Sequence, residues 1–202
     1  MFILAHLGIG KKIASPWSRH LPLVPLLIGT LLPDIIDKSL FYGLRILDSV
    51  EAFRPFADSC LTVITGTRTF GHTAILLFAV LILSGIRKSP VLAALALGMA
   101  THVLIDNFAD HLHDVVAGSV HDHSAAIALL WPFMTPKFAS YPFASMTEHL
   151  SSVARPELLI GELVGLLLLL WDYWKSARSK ELLKVLFSRR YRLIKRHRLE
   201  RD

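Results

Sequence analysis

Two apolar runs, Thr73–Ile86 and Val91–Asp106, are separated only by Arg87-Lys88-Ser89-Pro90. The first is apolar on every side, and the second stays apolar until His102. Runs this long, rich in Ala and Leu, exclude strands and predict an antiparallel helical hairpin. A helix that is apolar all round has to be surrounded, either by protein or by lipid. The chain has 202 residues, of which 53% are hydrophobic, and a mean hydropathy of +0.50. That leaves too little polar surface to cover several such helices in water.

Leu21–Leu32 is a third apolar run, with Pro22 and Pro25 near its start, where a helix tolerates proline best. Glu157–Lys175 is the clearest membrane candidate, with Trp171, Tyr173 and Trp174 forming an interfacial belt. Eighteen helical residues span about 27 Å, against a hydrocarbon core of about 30 Å. Glu162 inside that run must face protein or headgroups. Gly161-x-x-x-Gly165 offers a helix-packing face. The fold expected is an all-α, polytopic integral membrane bundle with about four membrane-embedded helices. Phe2–Ala14 reads as a short helix, and Phe41–Gly66 as a short amphipathic helix with a loop.

Charge divides the chain into 1–174 and 175–202. The tail from Lys175 carries eleven Lys/Arg against three Asp/Glu, and the body before it is slightly acidic. Leu182, Leu183, Leu186, Leu193 and Ile194 interleave the tail's basic residues, as in an amphipathic helix lying on anionic lipid. Nucleic acid is the weaker alternative for this tail. Short cytoplasmic loops carry excess Lys and Arg. The tail, the turn at Arg87 and Lys88, and Lys11, Lys12 and Arg19 therefore belong on the cytoplasmic side of a plasma (inner) membrane. That arrangement sends Asp34, Asp37, His72, His102 and Asp106 to the opposite side. The single cysteine, Cys60, rules out a disulfide framework and a cysteine-rich zinc site.

Measured along the hairpin from its turn, His72, His102 and Asp106 stand at about 22, 20 and 25 Å, so they come level. His102 and Asp106 are four residues apart on one helix face, and Asp34 and Asp37 are three apart on another. Carboxylates and imidazoles converging at one membrane level suit a divalent ion, zinc foremost, with manganese or iron as alternatives. Arg68, four residues before His72, has the reach to clamp an anionic phosphate. His111, His113, Asp114, His121, Asp122 and His123 form a second dense group, read as a solvated loop, with a second metal site or a substrate-mouth role as the alternative. His20, His149 and His197 read as surface residues.

In order along the chain stand His6, Pro33-Asp34-Ile35-Ile36-Asp37, Arg68-Thr69-Phe70-Gly71-His72-Thr73, His102-Val103-Leu104-Ile105-Asp106 and Trp131-Pro132. This ordered set resembles the YdjM-like (LexA-regulated) membrane-bound metal-dependent hydrolases. Thr67 and Gly71 depart from it, standing where many members carry His and Thr. The His-x-x-x-Asp helix is also similar to that of zinc-dependent phospholipase C. The resemblance implies hydrolysis of a phosphoester or lipid-linked substrate by a metal-activated water. It implies metal ligation by His6, Asp34, Asp37, His72, His102 and Asp106, with Arg68 as the catalytic residue. The alternative is a non-catalytic membrane protein whose His/Asp cluster is structural or only holds a metal.

Overall fold

The computed structural model describes residues 3–117, 124–138 and 158–176, together with Thr147, Ser151 and Pro156. All the regular structure among them is helical. The elements are α1 (Ile3–Ala14), α2 (Leu23–Gly29), α3 (Leu32–Asp48), α4 (Arg54–Leu61), α5 (Ala74–Arg87), α6 (Pro90–Ala117), α7 (Ser124–Leu129) and α8 (158–176). A 3-10 turn, Phe70–His72, precedes α5.

The hairpin of α5 and α6 forms as expected, and its signals are local. Thr73 caps α5 by accepting the Leu76 amide at 3.2 Å. The helix stops at Lys88, which adopts a left-handed conformation with φ of 48°. Ser89 then accepts the Leu92 amide, and Pro90 opens α6, where its missing N–H costs nothing. The far end differs from expectation. α6 does not stop at Asp106 but continues to Ala117. His102, Asp106 and Asp110 therefore share one stripe of one continuous helix.

The run from Leu21 also differs. It breaks after Gly29 into the seven-residue α2, and Pro33 then opens α3. Asp34 and Asp37 consequently lie in the first turns of a helix, not at its C-terminal end. At 1.5 Å per residue α2 is about 10 Å long, too short to cross a bilayer alone.

α6 is the central helix. α2 crosses it with Gly29 against Leu95 and Gly98 against Leu26 and Thr30. Ala14, Leu26 and Ala94 bury together, which sets the end of α1 beside the start of α6. Phe41 and Leu44 of α3 bury with Ile64 beyond the end of α4, and Cys60 and Leu61 of α4 pack against them.

α1 and α8 run parallel. Glu162 accepts the Leu4 amide at 3.0 Å and the Ala5 amide at 2.9 Å, so its carboxylate caps the start of α1. Lys11 pairs with Asp172 at 2.6 Å at the other end. Between them Gly8 meets Gly165 with no room for a side chain: a Cβ on Gly165 would lie 2.1 Å from the Leu4 carbonyl oxygen. Gly165→Val should therefore pry α8 from α1 and destabilise the protein by about 1–3 kcal/mol, the usual range for overpacking. Thermal unfolding of the full chain in detergent measures this, and an unchanged midpoint would contradict the packing.

Among the described residues one helix segment, Pro90–Leu112, is long and apolar enough to cross a membrane. α5 is apolar but shorter, at 14 residues. α8 carries Glu162, Asp172 and Lys175, and the first two are engaged by α1. The outward faces of α5 and α8 expose large apolar side chains, among them Phe78, Ile82 and Ile86 on α5 and Ile160, Leu163 and Leu167 on α8. The basic tail beyond residue 176 lies outside the described residues, as do residues 118–123 with His121, Asp122 and His123, and also His149. Of the second His/Asp group, His111 is exposed on α6, and the side chains of His113 and Asp114 are outside the description.

Candidate metal centre

Three segments deliver the site. α3 brings Asp34 and Asp37 in its first turns, the 3-10 turn brings His72, and α6 brings His102 and Asp106. One donor atom each from Asp34, His72, His102 and Asp106 lies within 4.8 Å of all the others. His102 Nε2 is 3.1 Å from His72 Nε2 and 3.7 Å from Asp106 Oδ2. His72 Nε2 is 3.3 Å from Asp106 Oδ2. Asp34 Oδ1 is the outlying donor, 3.9 Å from each Nε2. Ligands 2.0–2.1 Å from a tetrahedral zinc stand about 3.3 Å apart, so the spacing suits such an ion.

The far side of each imidazole decides what its near side offers. His102 Nδ1 lies 2.7 Å from the Thr30 carbonyl, which can only accept. That nitrogen therefore carries the proton, and Nε2 presents a lone pair. His72 Nδ1 lies 2.7 Å from Asp37 Oδ2 and donates to it, which turns the lone pair of its Nε2 inward as well. Two imidazole lone pairs and two carboxylate oxygens thus meet. Acceptors facing acceptors at these distances repel, and the repulsion is removed either by a proton on His72 Nε2 or by a cation among them. Carboxylate and carbonyl partners behind ligating histidines are the usual outer support of a metal site.

Asp37 is that support and does not join the converging donors. Both its oxygens are consumed. Oδ2 takes the Thr69 amide at 2.6 Å besides His72, and Oδ1 takes the Thr69 hydroxyl at 2.8 Å and the Gly71 amide at 2.6 Å. Gly71 belongs to this arrangement. A Cβ there would lie 2.5 Å from the Pro33 carbonyl oxygen and 3.0 Å from Asp37 Oδ1. Glycine at 71 lets the 3-10 turn close onto α3. Phe70 then packs edge-on against Trp131 and Phe138, with the Trp131-Pro132 bond cis. This places the late Trp-Pro behind the turn that carries His72.

His6 reaches the site but flanks it. Its ring stacks on His102 with centroids 3.9 Å apart, and its Nε2 lies 3.3 Å from Asp106 Oδ1. Neither ring nitrogen of His6 has a hydrogen-bond partner, and neither does Asp106 Oδ1. All three atoms are buried. The expected six-residue ligand set therefore divides into four converging donors, one flanking imidazole and one supporting carboxylate.

Arg68 is buried beside the donors and is already engaged. Its Nη2 sits 2.9 Å from Asp106 Oδ2, and its Nη1 bonds Asp110. Burial works against the charge on Arg68, but the carboxylates of Asp106 and Asp110 raise its pKa further above its ordinary value. Burial likewise opposes a proton on His72, yet its contacts with Asp106 and Asp37 raise its pKa. Asp34 is held from the other side by Lys38 at 2.6 Å. Among the described side chains, Asp34, Asp37, Asp106 and Asp110 face the two fixed cations Lys38 and Arg68, an excess of carboxylate that attracts a cation.

Sequence reading missed Asp110, Lys38, Thr69 and the Thr30 carbonyl. Asp110 had a usable signal, since it continues the four-residue spacing of His102 and Asp106. The carbonyl had none, because a main-chain oxygen leaves no mark in a sequence. No protein-family model, no curated protein and no solved structure matches the chain.

Proposed function

We propose that this chain is an integral membrane hydrolase that holds one divalent ion, zinc foremost, on His72, His102 and Asp106, with Asp34 beside it. The observation that carries the reading is the convergence of one potential ligand atom each from Asp34, His72, His102 and Asp106 within 4.8 Å of one another. The ordered motifs that resemble the YdjM-like hydrolases support it, and they supply the substrate class, a phosphoester or lipid-linked ester. A bound divalent ion supplies an activated water near neutral pH and polarises the scissile oxygen.

The chain's own residues divide the remaining work. Thr30 and Asp37 fix the tautomers of His102 and His72. Arg68 stands next to Asp106 as the cation for an anionic group of the substrate. Asp34 is the most distant donor, and its side chain is 15% exposed against 0–3% for the other three. It is therefore the carboxylate placed to face incoming substrate and to take a proton from an attacking water. Catalytic zinc sites characteristically have three protein ligands and one open position, and the shorter contacts among His72, His102 and Asp106 fit that pattern.

Zinc-loaded protein should hydrolyse bis(p-nitrophenyl) phosphate or a short-chain phospholipid. Asp34→Asn should keep its zinc while losing about 10²–10⁴-fold in rate, the range for a general base. Zinc retained by a wild type that turns over none of these substrates would favour the non-catalytic reading. The near-complete burial of His72, His102 and Asp106 is the observation on that side, since closed sites are characteristic of structural metals.

The membrane reading rests on Pro90–Leu112 and on the exposed apolar faces of α5 and α8. From Pro90 to Asp110 the helix rises about 30 Å, the thickness of the hydrocarbon core. That puts the site near one membrane face and the turn at Arg87 and Lys88 near the other. Lys11 pairs with Asp172, so the ends of α1 and α8 share a level, and their basic residues belong on the cytoplasmic side with the tail. An alkaline phosphatase reporter fused after Asp202 should be inactive. An active fusion would turn the site toward the cytoplasm.

A further inference from the structure

Arg68 holds two carboxylates that differ in what else they do. Asp106 Oδ2 belongs to the converging donors, 3.3 Å from His72 Nε2. Asp110 has no part in that group, and its contact with the site is through Arg68 Nη1. Its side chain is 19% exposed, against 5% for Arg68 and 3% for Asp106. Asp110 is thus the outermost member of the row, one helical turn beyond Asp106 and nearest to solvent.

A planar guanidinium offers two parallel N–H groups to two oxygens, and carboxylate and phosphate meet that fork in the same way. Asp110 is the outermost group on Arg68, so a phosphate that arrives from solvent meets the Nη1 edge that Asp110 occupies. Leaving a buried Arg charge without an anion is expensive, so Asp110 leaves only when another anion arrives. Charge fixes what that anion can be. Asp110 brings one negative charge to Arg68. A singly charged group that takes the place of Asp110 preserves this balance, while a dianion adds an uncompensated charge in a poorly solvated place.

We infer that Asp110 is a built-in stand-in for the substrate's anionic group, and that a singly charged phosphodiester displaces it from Arg68. The inference deepens the hydrolase reading and rests on it. On displacement the Arg68–Asp110 hydrogen bond breaks, Asp110 turns toward solvent, and a non-bridging phosphate oxygen takes its place on Nη1. No covalent bond changes in this step.

The test is calorimetric titration of the zinc-equilibrated full chain in detergent with diphenyl phosphate, a monoanionic diester, and with phenyl phosphate, largely a dianion above neutral pH. The wild type should prefer the diester. Asp110→Asn should bind the diester about tenfold more tightly, the worth of one charge-assisted hydrogen bond no longer contested. Adding Arg68→Gln to Asp110→Asn should abolish the gain. Asp110→Ser carries the same expectation should the asparagine variant not fold. A tighter dihexanoyl phosphatidylglycerol complex would assign the diester to a lipid, and equal affinity would assign it to diesters in general. Zinc held at wild-type level with unchanged or weaker diester binding in both Asp110 variants would overturn the exchange alone. A wild type that holds no zinc would overturn the metal reading and the exchange with it.

Discussion

Asp106→Asn should cost the protein its metal. The carboxylate lies against four groups at once: His72 at 3.3 Å and His102 at 3.7 Å across the donor group, Arg68 at 2.9 Å, and His6 at 3.3 Å. An amide of the same size keeps the packing but removes the negative charge and one acceptor oxygen. Changes to groups that only support a metal ligand typically cost 10–100-fold in affinity. Loss of a converging carboxylate should cost more, about 10³-fold. Stability in the metal-free state should change less, because Arg68 keeps Asp110. Zinc competition against a graded series of chelators measures the first effect. Affinity within tenfold of wild type would remove Asp106 from the site.

Asp37→Asn should weaken zinc binding less, by a different route, and destabilise the fold as well. Each oxygen of Asp37 accepts two hydrogen bonds, from His72 and the Thr69 amide on one side and from the Thr69 hydroxyl and the Gly71 amide on the other. Asparagine turns one acceptor into a donor, so two of those four buried donors lose their partner. At about 1–3 kcal/mol for each orphaned group, destabilisation of about 2–6 kcal/mol follows. His72 also loses the group that fixes its tautomer, so zinc affinity should fall about 10–100-fold. The two effects should appear together in unfolding and in chelator competition. A variant that loses zinc with no loss of stability would make Asp37 a direct ligand instead of a support.

The parts of this site that the sequence made legible are those that depend on helix periodicity. His102 and Asp106 fall on one face at four-residue spacing, and the hairpin arithmetic brought His72 level with them. The structure sets the two Nε2 atoms 3.1 Å apart. Asp34 and Asp37 share a face, but they do different work because the 3-10 turn comes down between them, and where that turn lands is a tertiary fact. The extension of α6 past Asp106 was obscured by its polar composition, since Asn107, Asp110 and His111 read as loop when judged by hydropathy. That composition is tolerated because Asp110 pairs with Arg68 and His111 faces out. Glu162 looked like a liability in an apolar helix. Its solution, two amides at the start of a helix more than 150 residues away, follows from α8 lying parallel to α1. His6 was suggested by the ordered motifs alone, and it arrives because α1 is fixed between α6 and α8.

The central claim is that His72, His102 and Asp106 hold one divalent ion with Asp34 beside it. X-ray absorption at the zinc edge, on full-length protein equilibrated with zinc and then freed of excess, tests it most directly. The account predicts one ion per chain with nitrogen and oxygen neighbours at about 2.0–2.1 Å and the outer scattering of two imidazoles. A folded protein that holds no divalent ion, with His72 protonated and donating to Asp106, would contradict it.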